Sequence, residues 1–252
     1  MQVQKLFEDE LASRGVTWSI DAESGRHVIE LHGGRLLVSL ANLERDVASS
    51  ADAGKIARFV DSIQQSDLAL DTLSAERLYW ILEPNDYVDK ASFRVPVSKR
   101  ADRVLIHLSL DDKLVSWVTA DMLRQLDLSD SEAEAVAFSN LDRALSEAAL
   151  ETSDVDGVGL GFISTSLPFK AALILAPNLK NVTEEKLGWP LRAVAPDRDF
   201  LYLWAARHSD FAGRLGEIVV REYAAAPYPI STEIFELSDQ GVRAIGAFSA
   251  PR

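Results

Sequence analysis

Arg103-Val-Leu-Ile-His-Leu-Ser-Leu110 and Leu114-Val-Ser-Trp-Val118 bracket the turn Asp111-Asp-Lys113, and Ser129-Asp-Ser-Glu132 then opens a long run to Ala149. The order of these pieces decides the fold class. Two apolar runs of strand length around an Asp-rich turn predict a hairpin. Thr119 or Asp121 opens a short helix after it. Ser129 followed three residues later by Glu132 has the form of a capping box, in which side chain and backbone bond reciprocally at a helix start. Ala133, Val136, Ala137, Asn140, Leu141, Ala144, Leu145 and Ala148 then share one helical face. Paired strands followed by helices, without regular strand–helix–strand alternation, define an α+β class with antiparallel or mixed sheets and packed helices.

The same grammar extends in both directions. Val3, Leu6, Phe7 and Leu11 have helical spacing over residues 2–13. Three short strands are predicted at Val16–Ile20, His27–Leu31 and Arg35–Leu40, turned by Ser24-Gly25 and Gly33-Gly34. Helices follow over Ala41–Ser49 and Asp52–Gln65. Residues 66–102 are less regular: Leu78–Leu82 fits a strand or a helical turn, and Pro84 and Pro96 interrupt any pattern. A boundary between two associated lobes, 1–100 and 101–252, is expected there, with no Gly/Ser-rich linker to separate them. Beyond the capped helix, strands are predicted at Gly157–Thr165, Ala171–Ala176, Leu191–Ala195 and Phe200–Ala206. A helix capped by Ser209 or Asp210 and a hairpin of Thr232–Leu237 with Val242–Phe248 complete the chain.

Composition limits the chemistry. The 252 residues include no cysteine, which removes thiolate nucleophiles, thiolate metal sites and disulfides. The apolar runs 171–176 and 200–206 fall far short of the roughly 20 residues a membrane-spanning helix needs. The acidic N-terminus lacks the layout of a secretion signal, so a cytoplasmic protein is expected. Arginine exceeds lysine 18 to 8, a bias of GC-rich bacterial genomes. Net charge is −13, and residues 102–156 hold thirteen Asp or Glu against four Lys or Arg. Such a surface repels nucleic acid and anionic membranes and suits a basic protein partner, whereas its plainer role is solubility.

Candidate sites are few. Val38-Ser-Leu-Ala-Asn-Leu-Glu-Arg-Asp-Val47 is echoed by Val136-Ala-Phe-Ser-Asn-Leu-Asp-Arg-Ala-Leu145. In the second copy Asn140 falls within the apolar stripe, where an amide must find hydrogen-bond partners. It either ties the helix to a neighbouring loop, the expected role, or orients a ligand. Ala195-Pro-Asp-Arg-Asp199, with Arg192 upstream, sets two carboxylates around a guanidinium at a strand junction. Arg192, Asp197, Arg198 and Asp199 therefore form the candidate ligand site, against the simpler alternative of a Pro-Asp turn. Gly157-Val-Gly-Leu-Gly161 lacks the Lys-Ser/Thr of a phosphate loop and reads as a strand where another backbone packs closely. His27, His32, His107 and His208 have no metal-ligand spacing, so neither metal nor cofactor is expected. No Gly-x-Ser-x-Gly elbow surrounds Ser164-Thr-Ser166. Trp204, Tyr223 and Tyr228 suit either a pocket or the core.

These segments resemble the YtpQ-like family of bacterial proteins, a group defined by a domain of unknown function. The resemblance rests on Leu40-Ala-Asn-Leu43, the strand pair around Asp111-Asp112, Ala137-Phe-Ser-Asn-Leu141, Ala193-Val-Ala-Pro-Asp-Arg-Asp199 and Pro229-Ile-Ser-Thr-Glu-Ile-Phe-Glu236. It spans about residues 30–248 and is thin between Ser66 and Asp102. It implies an intracellular α+β protein and brings no reaction, cofactor or catalytic residue. The leading expectation is a protein-binding adaptor or immunity-like inhibitor that uses the acidic segment 102–156. The alternative is a small-ligand-binding protein or hydrolase-like enzyme centred on Arg192, Asp197, Arg198 and Asp199.

Overall fold

The computed structural model describes residues 2–22, 25–31, 34–38, 40–49, 52, 54–69, 73–86, 93–109 and 115–249. The chain divides into two compact units: Met1–Leu73 with the short returns Ser109–Leu114 and Ala226–Tyr228, and the remainder. The first unit runs α1 (Gln2–Ser13), β1 (Trp18–Ile20), β2 (His27–Leu31), β3 (Gly34–Val38), α2 (Ala41–Ser49) and α3 (Gly54–Ala69). Its three strands form an antiparallel meander in which β2 is central. Phe7 and Leu11 of α1 meet Ile29, Val38, Ile56 and Val60, with Val3 packed against them, whereas Leu6 of the predicted stripe is exposed. Ser24, His32 and Gly33 lie outside the described residues.

The second unit contains β4 (Leu78–Pro84), β5 (Arg94–Pro96), β6 (Ala101–Leu108), β7 (Val115–Trp117), α4 (Ala120–Gln125) and α5 (Asp130–Glu147). It continues with β8 (Ala149–Val155), β9 (Val158–Ser164), α6 (Leu179–Leu187), β10 (Leu191–Val194), β11 (Tyr202–Ala205), α7 (Ala212–Ala225), β12 (Glu233–Ser238) and β13 (Gly241–Ala247). Two antiparallel sheets result. One pairs β4 with β6, whose other side carries β5 and β7; the second has the order β13-β12-β10-β11-β9-β8. The class is α+β, as the ordering of strands and helices requires.

Several boundaries differ from expectation for identifiable reasons. The lobe boundary expected at residue 100 moves to Leu73, because β4 pairs with β6 along its whole length, from Leu78 opposite His107 to Pro84 opposite Ala101. A division after Arg100 would cut that ladder. Ala171–Ala176, expected as a strand, is a 3-10 turn over Lys170–Leu175 in which Ala171, Ala172, Leu173 and Ile174 are all buried. A short apolar run fits either element, and here complete burial rather than alternation marks the turn. Strand β8 is polar and was not expected, yet Asp156-Gly157 announces it. Both residues lie in the left-handed region (φ 53° and 81°), as a two-residue hairpin turn requires. The Asp111-Asp112-Lys113 turn falls outside the described residues.

One large core joins the two sheets of this unit, α5, α6 and the 3-10 turn at 170–175. A separate apolar layer packs α7, through Leu215 and Val219, on Leu160, Val194 and Trp204 of the six-stranded sheet. Among the described residues no helix is long and apolar enough to cross a membrane. The glycine-rich strand β9 explains itself in the core. A Cβ on Gly161 would lie 2.6 Å from Leu187 Cδ1 of α6, whereas one on Gly159 would sit 3.6 Å from the nearest atom. A side chain of α6, rather than another backbone, is what approaches the strand. Gly161→Ala is therefore expected to cost about 1–3 kcal/mol by overpacking, and Gly159→Ala well under about 1 kcal/mol. Equal denaturation midpoints for the two variants would contradict this account.

Candidate functional site

The two candidate regions are built on different elements. Asn140 faces inward from α5, 5% exposed, and its amide nitrogen donates to the carbonyls of Ala75 (2.9 Å) and Leu78 (2.8 Å). Neighbouring side chains bind the same segment: Arg143 donates to the Glu76 carbonyl at 2.8 Å, and the Ser74 N–H donates to His107 Nε2 at 3.3 Å. The amide of Asn140 thus ties helix to strand, and its nitrogen is not offered to a ligand. Ser129 and Glu132 form the predicted capping box at the other end of the pattern, and Thr119 caps α4.

Asp197, Arg198 and Asp199 occupy the loop that joins β10 to β11. The loop turns locally: the Asp199 N–H donates to Asp197 Oδ1 at 2.8 Å, and the Phe200 N–H donates to the Asp197 carbonyl. It is also anchored, since Ala171 N–H donates to the Arg198 carbonyl and Asp197 bridges Pro229. Asp197 Oδ2 is buried with no hydrogen-bond partner. Arg198 reaches across to Glu83 of β4 at 3.0 Å, with side-chain exposures of 15% and 8%. This is a buried ion pair between the two sheets. Arg192 does not join the group. It lies on β10 opposite Trp204 and Glu236, beyond Val194 from the loop, and donates to the Ser209 carbonyl at 3.0 Å. The four-residue site therefore reduces to the two carboxylates, with Arg198 directed to Glu83.

Asp199 is the electrostatically unusual member. Crowding removes water from its carboxyl even though part of the residue is exposed, and the neighbouring Asp197 adds repulsion. Its pKa is raised by these two causes in that order, against the opposing pull of Arg198 and Lys170. The arrangement holds two carboxylates close together and keeps one of them at an electrostatic disadvantage.

A second polar cluster was not singled out by sequence pattern. Glu83, Asp102 and Glu233 are all buried. Asp102 pairs with Arg94, which also donates to the Pro84 carbonyl at 2.5 Å. Glu233 accepts from Ser98 (2.5 Å) and Ser231 (2.9 Å), while Arg100 donates to Thr232 at 3.0 Å. One signal was available: Glu83 ends a strand in which every residue is buried, and a charge so placed needs a partner. Among the described residues no group of three or more His, Asp or Glu is arranged to hold a metal ion.

The acidic segment does not form one continuous face. Asp102 is buried; Glu134 pairs with Arg103 (2.5 Å), Asp142 accepts from the Asn178 N–H (2.8 Å), and Asp156 pairs with Arg214 (2.6 Å). Asp111 and Asp112 lie outside the described residues. The exposed acids separate toward the two ends of α5, a helix of 18 residues and so about 27 Å long. Asp121, Asp127, Asp130 and Glu132 occupy one end, and Glu147, Glu151, Asp154 and Asp156 the other.

With this geometry in place, comparison with family models, curated proteins and solved structures yields no match.

Three outcomes are expected. Arg198→Met leaves Glu83 buried without this partner and is expected to cost about 3–5 kcal/mol. The double variant with Glu83→Gln should recover part of it in chemical denaturation, and a double variant no better than the single would refute the pairing. Because folding raises the Asp199 pKa, the ionised carboxyl opposes folding above its folded value. Asp199→Asn should then raise the melting temperature at pH 7, with the gain shrinking as pH falls through the raised pKa toward 3.8. His107 behaves in the opposite sense: burial, aided by Arg77, lowers its pKa to about 4 from 6.5. Its contribution is complete above pH 6.5 and lost as pH falls toward 4. His107→Gln should flatten the stability-versus-pH curve in that interval, as read by urea titration.

Proposed function

We propose that this chain is a cytoplasmic protein-binding protein, an adaptor or immunity-like inhibitor that works without catalysis. Its docking surface is the acidic end formed by α4 and the start of α5, and its partner is basic. One observation carries the reading: residues 121–132 hold Asp121, Asp127, Asp130 and Glu132 against Arg124 alone, and all four acids are exposed. Clustered exposed charge of one sign accelerates encounter with a partner of the other sign, an effect that salt screens. The YtpQ-like resemblance belongs to the same proposal and supplies no partner of its own.

Asp199 favours a second reading. A carboxylate held with a raised pKa beside another is a feature of sites where charge serves a ligand. On that reading a small cationic or hydrogen-bond-donating ligand binds Asp197 and Asp199. Thermal-shift screening distinguishes it, since a ligand of the native state raises the melting temperature and Asp199→Asn would abolish the rise.

The leading reading is tested with Asp121→Asn, Asp127→Asn and Asp130→Asn combined. Asp127 has a φ of 54°, a conformation that Asn also tolerates, so the fold is expected to persist. Immobilised wild-type chain should retain a basic protein at low salt, with association at least about tenfold slower for the variant and the difference closing near 0.5 M salt. Retention equal for both chains, or no retained protein, removes the proposal.

A further inference from the structure

We draw no further inference here: the strongest candidate, the outer edge of β13 with its exposed Ile245, is interrupted by a register shift at that residue, and nothing in the structure shows what covers it.

Discussion

The second unit depends on how β4 is held. Every residue of this strand is buried, but among the described residues it has a neighbouring strand on one side only. A strand taken out of water must still place its backbone polar groups, and an unpaired edge is costly to bury. Its beginning is fixed by side chains: Asn140 takes the carbonyls of Ala75 and Leu78, Arg143 takes that of Glu76, and His107 accepts from the Ser74 N–H. Its far end is fixed by charge, where Glu83 receives Arg198 from the other sheet. Helix α5 and the six-stranded sheet therefore meet the same strand at opposite ends.

This arrangement gives His107 and Asn140 a common meaning. Each bonds the segment that leads into β4. The neutral imidazole is the form that accepts the Ser74 N–H, so burial of the ring and the hydrogen bond act in the same direction. Across the unit, Glu83, Asp102 and Glu233 repeat the principle: each buried acid meets a cation or hydroxyl from another strand or loop. Polar groups are placed inside this unit chiefly to set register and sheet packing.

Elements with a strong local signal were legible from residues alone. The capping box at Ser129, the stripe of α1 and the closing hairpin of β12 and β13 follow from spacing and turn chemistry. Where a local pattern was ambiguous, long-range contacts decided. The run from Ala171 to Ile174 is assigned by its burial rather than by its pattern, and β8 is carried by its neighbour β9 rather than by its own polar sequence. The candidate site shows the same limit. Asp197, Arg198 and Asp199 adjoin in sequence and stay together, but Arg198 turns to Glu83, 115 positions earlier, and no local pattern could name that partner.

Charge along the chain is likewise a poor guide to charge on the surface. Of the acids between 102 and 156, some cap helices, as the Glu132 carboxylate does by accepting from the Ser129 N–H, some close turns, as Asp154 does on the Gly157 N–H, and some pair with arginine. A carboxylate paired with a cation contributes less potential to a docking face than its formal charge implies, because the field of an ion pair falls off faster with distance than that of a lone charge, and salt screens the remainder beyond a Debye length of about 8 Å. What remains is concentrated where α4 gives way to α5, around Asp127 and Asp130, since Asp121 pairs with Arg124. The favourable charges of a helix's first turn and the attractive charges of the proposed docking face coincide there, so Asp130 and Glu132 stabilise α5 in any case. Asp127, outside the helices and in a left-handed conformation, has no such structural use for its charge. It is the residue at which a folding role and the proposed binding role separate most cleanly.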